Sequence, residues 1–141
     1  MKKVPSTEGS LHAMPLHQLV NKVMIGLLPL ALSHKSFVIN DVNPDVNVCA
    51  DENMLALVLG AMLNQTLSAT ENECIRVEAS TGNDATSIFV KTISQFLYGN
   101  RGSGLREMEL AAEKIGASIS ISHSRCNMMI TCSFRNALKA A

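Results

Sequence analysis

The chain has 141 residues, 47% of them hydrophobic, and its 12 basic side chains are balanced by 12 acidic ones. That is the size of one ordinary domain, with enough apolar material for a core, and it excludes global disorder. A formal net charge of +0 lacks the positive excess that contact with a phosphate backbone requires, so no nucleic-acid partner is expected.

Residues 1–14 are polar and irregular, with Pro5, Gly9 and Ser10, and read as a flexible leader to a domain spanning 15–141. From Leu16 the apolar positions Leu16, Leu19, Val20, Val23, Met24, Leu27 and Leu28 recur at helical spacing, which predicts a first helix that Pro29 kinks or shortens. The run VMIGLLPLALS in this segment is too short for a bilayer, which takes about 20 residues, so no membrane insertion is expected. The polar stretch VPSTEGS also separates it from the basic terminus that a secretion signal needs.

Phe37 and Ile39, then Val46 and Val48, alternate about the turn-prone DVNPDVN, the pattern of a strand pair flanking a loop. Asp51 is placed to cap a second helix whose inner face carries Leu55, Val58, Leu59, Met62 and Leu63. Strands follow from Cys74 to Ala79 and from Ile88 to Thr92, joined by the turn signal TGND. A third helix is expected from near Gly104 to near Gly116, then strands over Ala117 to Ser122 and Asn127 to Phe134. This order predicts an α+β fold, a two-layer α/β sandwich with three helices on one face of a mixed, mainly antiparallel sheet.

Cys49, Cys74, Cys126 and Cys132 form no CxxC pair, and the histidines do not cluster near them, so zinc has little support. On one strand Cys126 and Cys132 would lie roughly 20 Å apart, well beyond the ~7 Å that a disulfide allows. Free thiols in a reducing cytoplasm are the expectation. Of the two methionines Met128 and Met129 on the last strand, one should face the core and the other outward or into a partner. Glu107, Glu109 and Glu113, with Arg106 and Lys114, read as the solvated face of the third helix.

The stretch ADENMLALVLGAMLNQTLSAT, Ala50 to Thr70, resembles the asparagine-box helix of the ATP-binding domain of sensor histidine kinases, a family shared with gyrase B and MutL. In the family pattern ADxxxLxxVLxNLLxNAxKxT, Asp51, Leu55, Val58, Leu59, Leu63 and Thr70 fall on matching positions. RGSGLREMELAAEKIGASISIS, Arg101 to Ser122, is similar to the later glycine box with the helix and strand after it, and Leu16 to Asn40 to the opening helix and strand. The resemblance implies the Bergerat, or GHKL, ATPase fold.

It also implies where nucleotide chemistry would sit. The asparagine that holds magnesium is Gln65 here, one methylene longer, and the first asparagine of the box is Ala61. Asn64 would take the metal position if the register shifted by one, at the cost of the agreement at Asp51 and Leu59. The DxGxG box that binds adenine is replaced by FVKTISQFLYGNRGSG, in which Thr92 or a neighbour takes the place of the aspartate and Ile93 and Ser94 resist the backbone shapes of glycine. Few residues separate Thr92 from Gly102, so the ATP lid of the family is almost wholly absent.

What survives is the phosphate-side loop Arg101, Gly102, Ser103, Gly104 and Leu105, whose backbone N–H groups can meet an anion or simply start a helix. The expectation is a degenerate domain with no catalytic residue and no cofactor, acting in two-component signalling through a protein partner or a second copy of itself. The alternative is a catalytic or sensor domain that still binds ATP and magnesium through Asn64 or Gln65, Thr92 and the Gly102 to Gly104 loop. His17 is read as an exposed histidine, since the phosphoacceptor motif HExRTPL does not follow it, and a phosphotransfer role is disfavoured for want of a two-helix hairpin.

Overall fold

The computed structural model describes residues 11–82, 84–92, 101–123 and 128–135. In chain order the elements are β1 (Leu11–Pro15), α1 (Leu16–Gly26), α2 (Leu28–Ser33), β2 (Phe37–Asn40), β3 (Asn47–Asp51), α3 (Glu52–Ser68), β4 (Cys74–Thr81), β5 (Ala85–Thr92), α4 (Arg101–Glu113), β6 (Ser118–His123) and β7 (Met128–Arg135). Five strands form one sheet in the order β2-β4-β5-β7-β6, with β2 parallel to β4 and the other neighbours antiparallel. β1 and β3 make a separate antiparallel pair.

Strict alternation gives the sheet one dry face. Thr86, Ile88, Val90 and Thr92 of β5 and Met128, Ile130, Cys132 and Phe134 of β7 are buried, while the residues between them stay half-buried on the other face. That open face is held by cross-strand pairs: Lys91 Nζ lies 2.7 Å from Glu78 Oε1, and the Ser87 and Ser133 hydroxyls are 2.9 Å apart. Each such pair contributes a few tenths of a kcal/mol to about 1 kcal/mol.

α3 lies at the centre of the helix layer because its stripe Leu55, Val58, Leu59, Met62, Leu63, Thr66 and Leu67 is wholly buried. Burying an aliphatic side chain of this size contributes about 1.5–3 kcal/mol, so the stripe fixes how α3 is rotated. Asp51 starts the helix as expected, its Oδ1 accepting from the N–H groups of Asn53 at 3.0 Å and Met54 at 3.2 Å. α1 and α2 pack over β2, and α4 packs between α3 and β6. Gly116, at φ +70°, closes α4 in the left-handed conformation that glycine adopts without strain.

The two-layer α+β architecture stands, with four differences from the sequence reading. Residues 11–14, assigned to the irregular leader, belong to β1, where Met14 is buried and sits opposite Val48. The strands β2 and β3 do not pair with each other. The loop between them buries Val42, whose carbonyl meets His17 Nδ1 at 2.8 Å, and this sends β3 back to β1. The first helical segment breaks at Leu27 into α1 and α2, so the described residues hold four helices; Pro29 sits in the first turn of α2, where its missing N–H costs nothing. α4 begins at Arg101 rather than near Gly104.

His17 is half-buried, not exposed, and its bond to Val42 gives it a structural role. Met128 is buried and Met129 half-buried, as the alternation predicts. Cys49, Cys74 and Cys132 are free thiols, and Cys126 lies outside the described residues. Among the described residues no helix is long and apolar enough to cross a membrane.

Candidate functional site

The buried stripe of α3 decides where its polar residues point. Ala61 and Gln65 are half-buried beside the stripe, and Asn64 is exposed. Neighbouring helix residues differ by about 100°, so Asn64 and Gln65 cannot aim at one point. They open onto two different depressions between α3 and α4.

Asn64 lies in a groove of about 690 Å³ open to solvent, with Gly60 and Ala61 on the α3 side and Glu107, Leu110 and Lys114 on the α4 side. Arg106, Glu107, Glu109, Glu113 and Lys114 are all exposed, as expected, with Glu107 and Lys114 bordering this groove. Gln65 lines a separate cavity with Thr66 and Ala69, walled by Met108 of α4 and by Ile121, Met128 and Ile130 of the sheet. That cavity measures about 10 Å³. A single water needs roughly that much room, and small-molecule pockets run from about 300 Å³ upward. Met108 and Ile130 are fully buried and Met128 nearly so, and flexible methionine is well suited to filling an irregular gap.

Thr92 ends β5 directly opposite Met128 and is buried on the helix-facing side of the sheet. The structure thus gathers Thr92, Met128 and Gln65 into one neighbourhood and leaves Asn64 outside it. Arg101, Gly102, Ser103, Gly104 and Leu105 fall in the first turns of α4 instead of a loop ahead of it. Each glycine weakens a helix by about 1 kcal/mol relative to alanine, so burial of Met108, Ala111 and Ala112 must hold α4 in place. The first N–H groups of α4 lack acceptors within the helix, which keeps an anion contact chemically available at that end. The side chains of Arg101 to Leu105, together with Ile93 and Ser94, lie outside the described residues.

Among the described residues no group of His, Cys, Asp and Glu could hold a metal ion. Magnesium takes hard oxygen ligands, and among the described residues lining the two depressions the side-chain amides are those of Asn64 in the groove and Gln65 at the small cavity. Thr70, a matching position of the asparagine-box pattern, serves the helix end: its Oγ1 donates to Thr66 O at 2.8 Å, and its carbonyl lies 2.9 Å from His34 Nδ1. Burial pushes the Cys132 thiol up to about 11, so it carries no nucleophile at neutral pH. The residues that sequence reasoning missed are the two methionines. Helical period places Met108 inward and strand alternation places Met128 inward, but neither pattern says that they meet beneath Gln65.

Helices on one face of a five-stranded mixed sheet are the fold of solved histidine kinase catalytic domains. The chain is similar to the Acinetobacter baumannii histidine kinase AdeS, with a TM-score of 0.74 and 13% identity over 89% of this chain and 68% of that one. It is similar to the catalytic domain of histidine kinase ThkA, with a TM-score of 0.73 and 15% identity over 89% and 97% of the two chains. ThkA in complex with the response regulator protein TrrA matches with a TM-score of 0.71 and 13% identity, over 90% of this chain and 42% of that one. No family model matches the sequence, and no characterised protein matches it by sequence.

Proposed function

We propose that the chain is a degenerate histidine-kinase-like ATPase-fold domain that works as a binding or regulatory module in cytoplasmic two-component signalling, without kinase activity. The observation that carries this reading is the small cavity of about 10 Å³ beside Gln65, largely filled by Met108 and Met128, at the residue that the resemblance assigns to magnesium. Ala61 supplies no amide, Gln65 is turned toward this cavity, and Thr92 stands near the position of the adenine-binding aspartate. A domain in this condition acts through its surface, and its partner is a protein of the same signalling system. The complex of ThkA with TrrA is the model for such a contact.

Thermal unfolding with and without magnesium ATP tests the proposal, because a ligand at a hundred times its Kd stabilises the native state by about 2.7 kcal/mol. An unchanged Tm is expected. A rise of several degrees at nucleotide concentrations about a hundred times a micromolar Kd refutes it.

A second reading rests on the open groove of about 690 Å³ with Asn64 exposed along it. In that reading magnesium ATP lies along α3 with Asn64 as the metal ligand and the first turns of α4 at the phosphates. It requires that Asn64→Ala abolish a nucleotide-dependent rise in Tm, and a rise that survives the substitution excludes it.

A further inference from the structure

β6 is an outermost strand of the sheet, and among the described residues nothing pairs with its far side. Edge strands in soluble domains are ordinarily guarded by a lysine, a proline or a bulge. Ser118 to Ser122 reads SISIS and carries none of these. Ser118, Ser120 and Ser122 are exposed on the open face of the sheet. Ile119 and Ile121 lie opposite buried Cys132 and Ile130 on the helix-facing side, yet stay half-buried because no further strand covers them.

We infer that the occupant of this edge is a second copy of the chain, its β6 added antiparallel about a two-fold axis through Ser120. The strand's own sequence selects that occupant. SISIS reads the same in both directions, so antiparallel pairing centred on Ser120 sets Ser118 opposite the partner's Ser122 and Ile119 opposite the partner's Ile121. A register shifted by one residue sets serine against isoleucine and turns the two helix layers to opposite faces. Serine and aliphatic pairs of this kind stabilise an antiparallel ladder, and the isoleucines gain the cover they lack.

Helix α4 carries charges that fit the same axis. The Ala117 N–H donates to Ala112 O at 2.9 Å, and Met108 shares its small cavity with Ile121, so α4 runs back over β6 and Ser120 lies level with Glu109 and Leu110. Glu107, Leu110 and Lys114 line the groove on the α3 side, while Met108, Ala111 and Ala112 are buried. At about 100° per residue this leaves Arg106, Glu109 and Glu113 on the flank above the β6 edge. Among the described residues none of the three has an ion-pair partner.

The axis runs perpendicular to the sheet, so both helix layers stay on one side and the two α4 helices lie antiparallel across it. Arg106 and Glu113 stand almost equally far from the axis, and each meets the opposite charge of the partner. Glu109 lies nearest the axis and faces its own counterpart, which holds the affinity down. The contact is isologous and closes as a dimer. It rests on the fold and is independent of whether nucleotide binds.

Sedimentation velocity of the full chain over a concentration series gives the dimer Kd. Ser120→Lys sets two lysines directly opposite each other on the axis, with their side chains in solvent, and should raise the Kd about tenfold while circular dichroism stays that of the folded chain. Ser120→Glu should do the same. An equimolar mixture of these two variants should dimerise as tightly as the wild type, because an axis through residue 120 sets the lysine of one against the glutamate of the other. On α4, Arg106→Glu and Glu113→Arg should each raise the Kd about fivefold, and combining them in one chain should restore it. Glu109→Gln should lower it. A chain that stays monomeric at every concentration overturns the inference. So does a dimer indifferent to Ser120→Lys, a mixture of the two Ser120 variants that stays monomeric, or a pair of α4 charge reversals that show no mutual rescue.

Discussion

Replacing Met108 with alanine removes the side chain that closes the space beneath Gln65. Met108 is fully buried on α4 and shares the cavity of about 10 Å³ with Gln65, Met128 and Ile130. Truncating a buried methionine to alanine costs about 2–5 kcal/mol, and each ~50 Å³ left unfilled accounts for about 1.2 kcal/mol of that. Collapse is restricted here, because β7 is held in the sheet by β5 on one side and β6 on the other, and α3 is fixed by its own buried stripe. The expected loss is therefore in the upper part of the range, about 3–4 kcal/mol. Urea unfolding followed by far-ultraviolet circular dichroism measures it, with a lower midpoint and an unchanged m-value. A loss under about 1 kcal/mol refutes the reasoning, because it means that Met108 was not filling a closed core. The opened variant is also expected to stay blind to magnesium ATP, since new volume supplies no ligand at Ala61.

Asp51→Ala leaves the first N–H groups of α3 without their acceptor and should cost about 1 kcal/mol by the same urea measurement. Gly116→Ala meets no atom within 4 Å, so its cost is the left-handed backbone at φ +70°, about 1–2 kcal/mol, and Gly116→Asn should cost less. Cys132 gives a pH signature. Its thiol moves from an ordinary 9.0 to about 11 on folding, so between those values the unfolded chain has released a proton that the native chain retains. Stability should be unaffected by this group below pH 9.0, fall by roughly 2–3 kcal/mol as pH rises to about 11, and level off above it. The difference between the wild-type curve and that of Cys132→Ala isolates the effect, and a difference that is flat across this window contradicts it.

What was legible in the sequence is what local chemistry decides. α3 combines a cap at Asp51 with apolar residues at helical period, and both cues agree with its packing. β5 and β7 alternate strictly because one face of the sheet is dry. β1 was hidden, because Leu11 to Pro15 has no period of its own and becomes a strand only by pairing with β3, a partner far along the chain. The start of α4 was misplaced for a related reason: Gly102 and Gly104 argue against helix locally, and burial of Met108, Ala111 and Ala112 outweighs them. At the site, sequence alone offered both Asn64 and Gln65 as metal ligands. Rotation about α3 separates them, sending one to an open groove and the other to a small cavity lined by methionine. That lining joins Met108 of α4 to Met128 of β7, a meeting that no local pattern encodes.

Isothermal titration calorimetry of the full chain with ATP and magnesium tests most directly whether the nucleotide cleft has closed. No saturable heat is predicted up to millimolar nucleotide, for the wild type and for Met108→Ala alike. A single-site isotherm with a micromolar Kd, lost in the Asn64→Ala, Gln65→Ala double variant, would contradict a degenerate domain and establish a working magnesium site on α3.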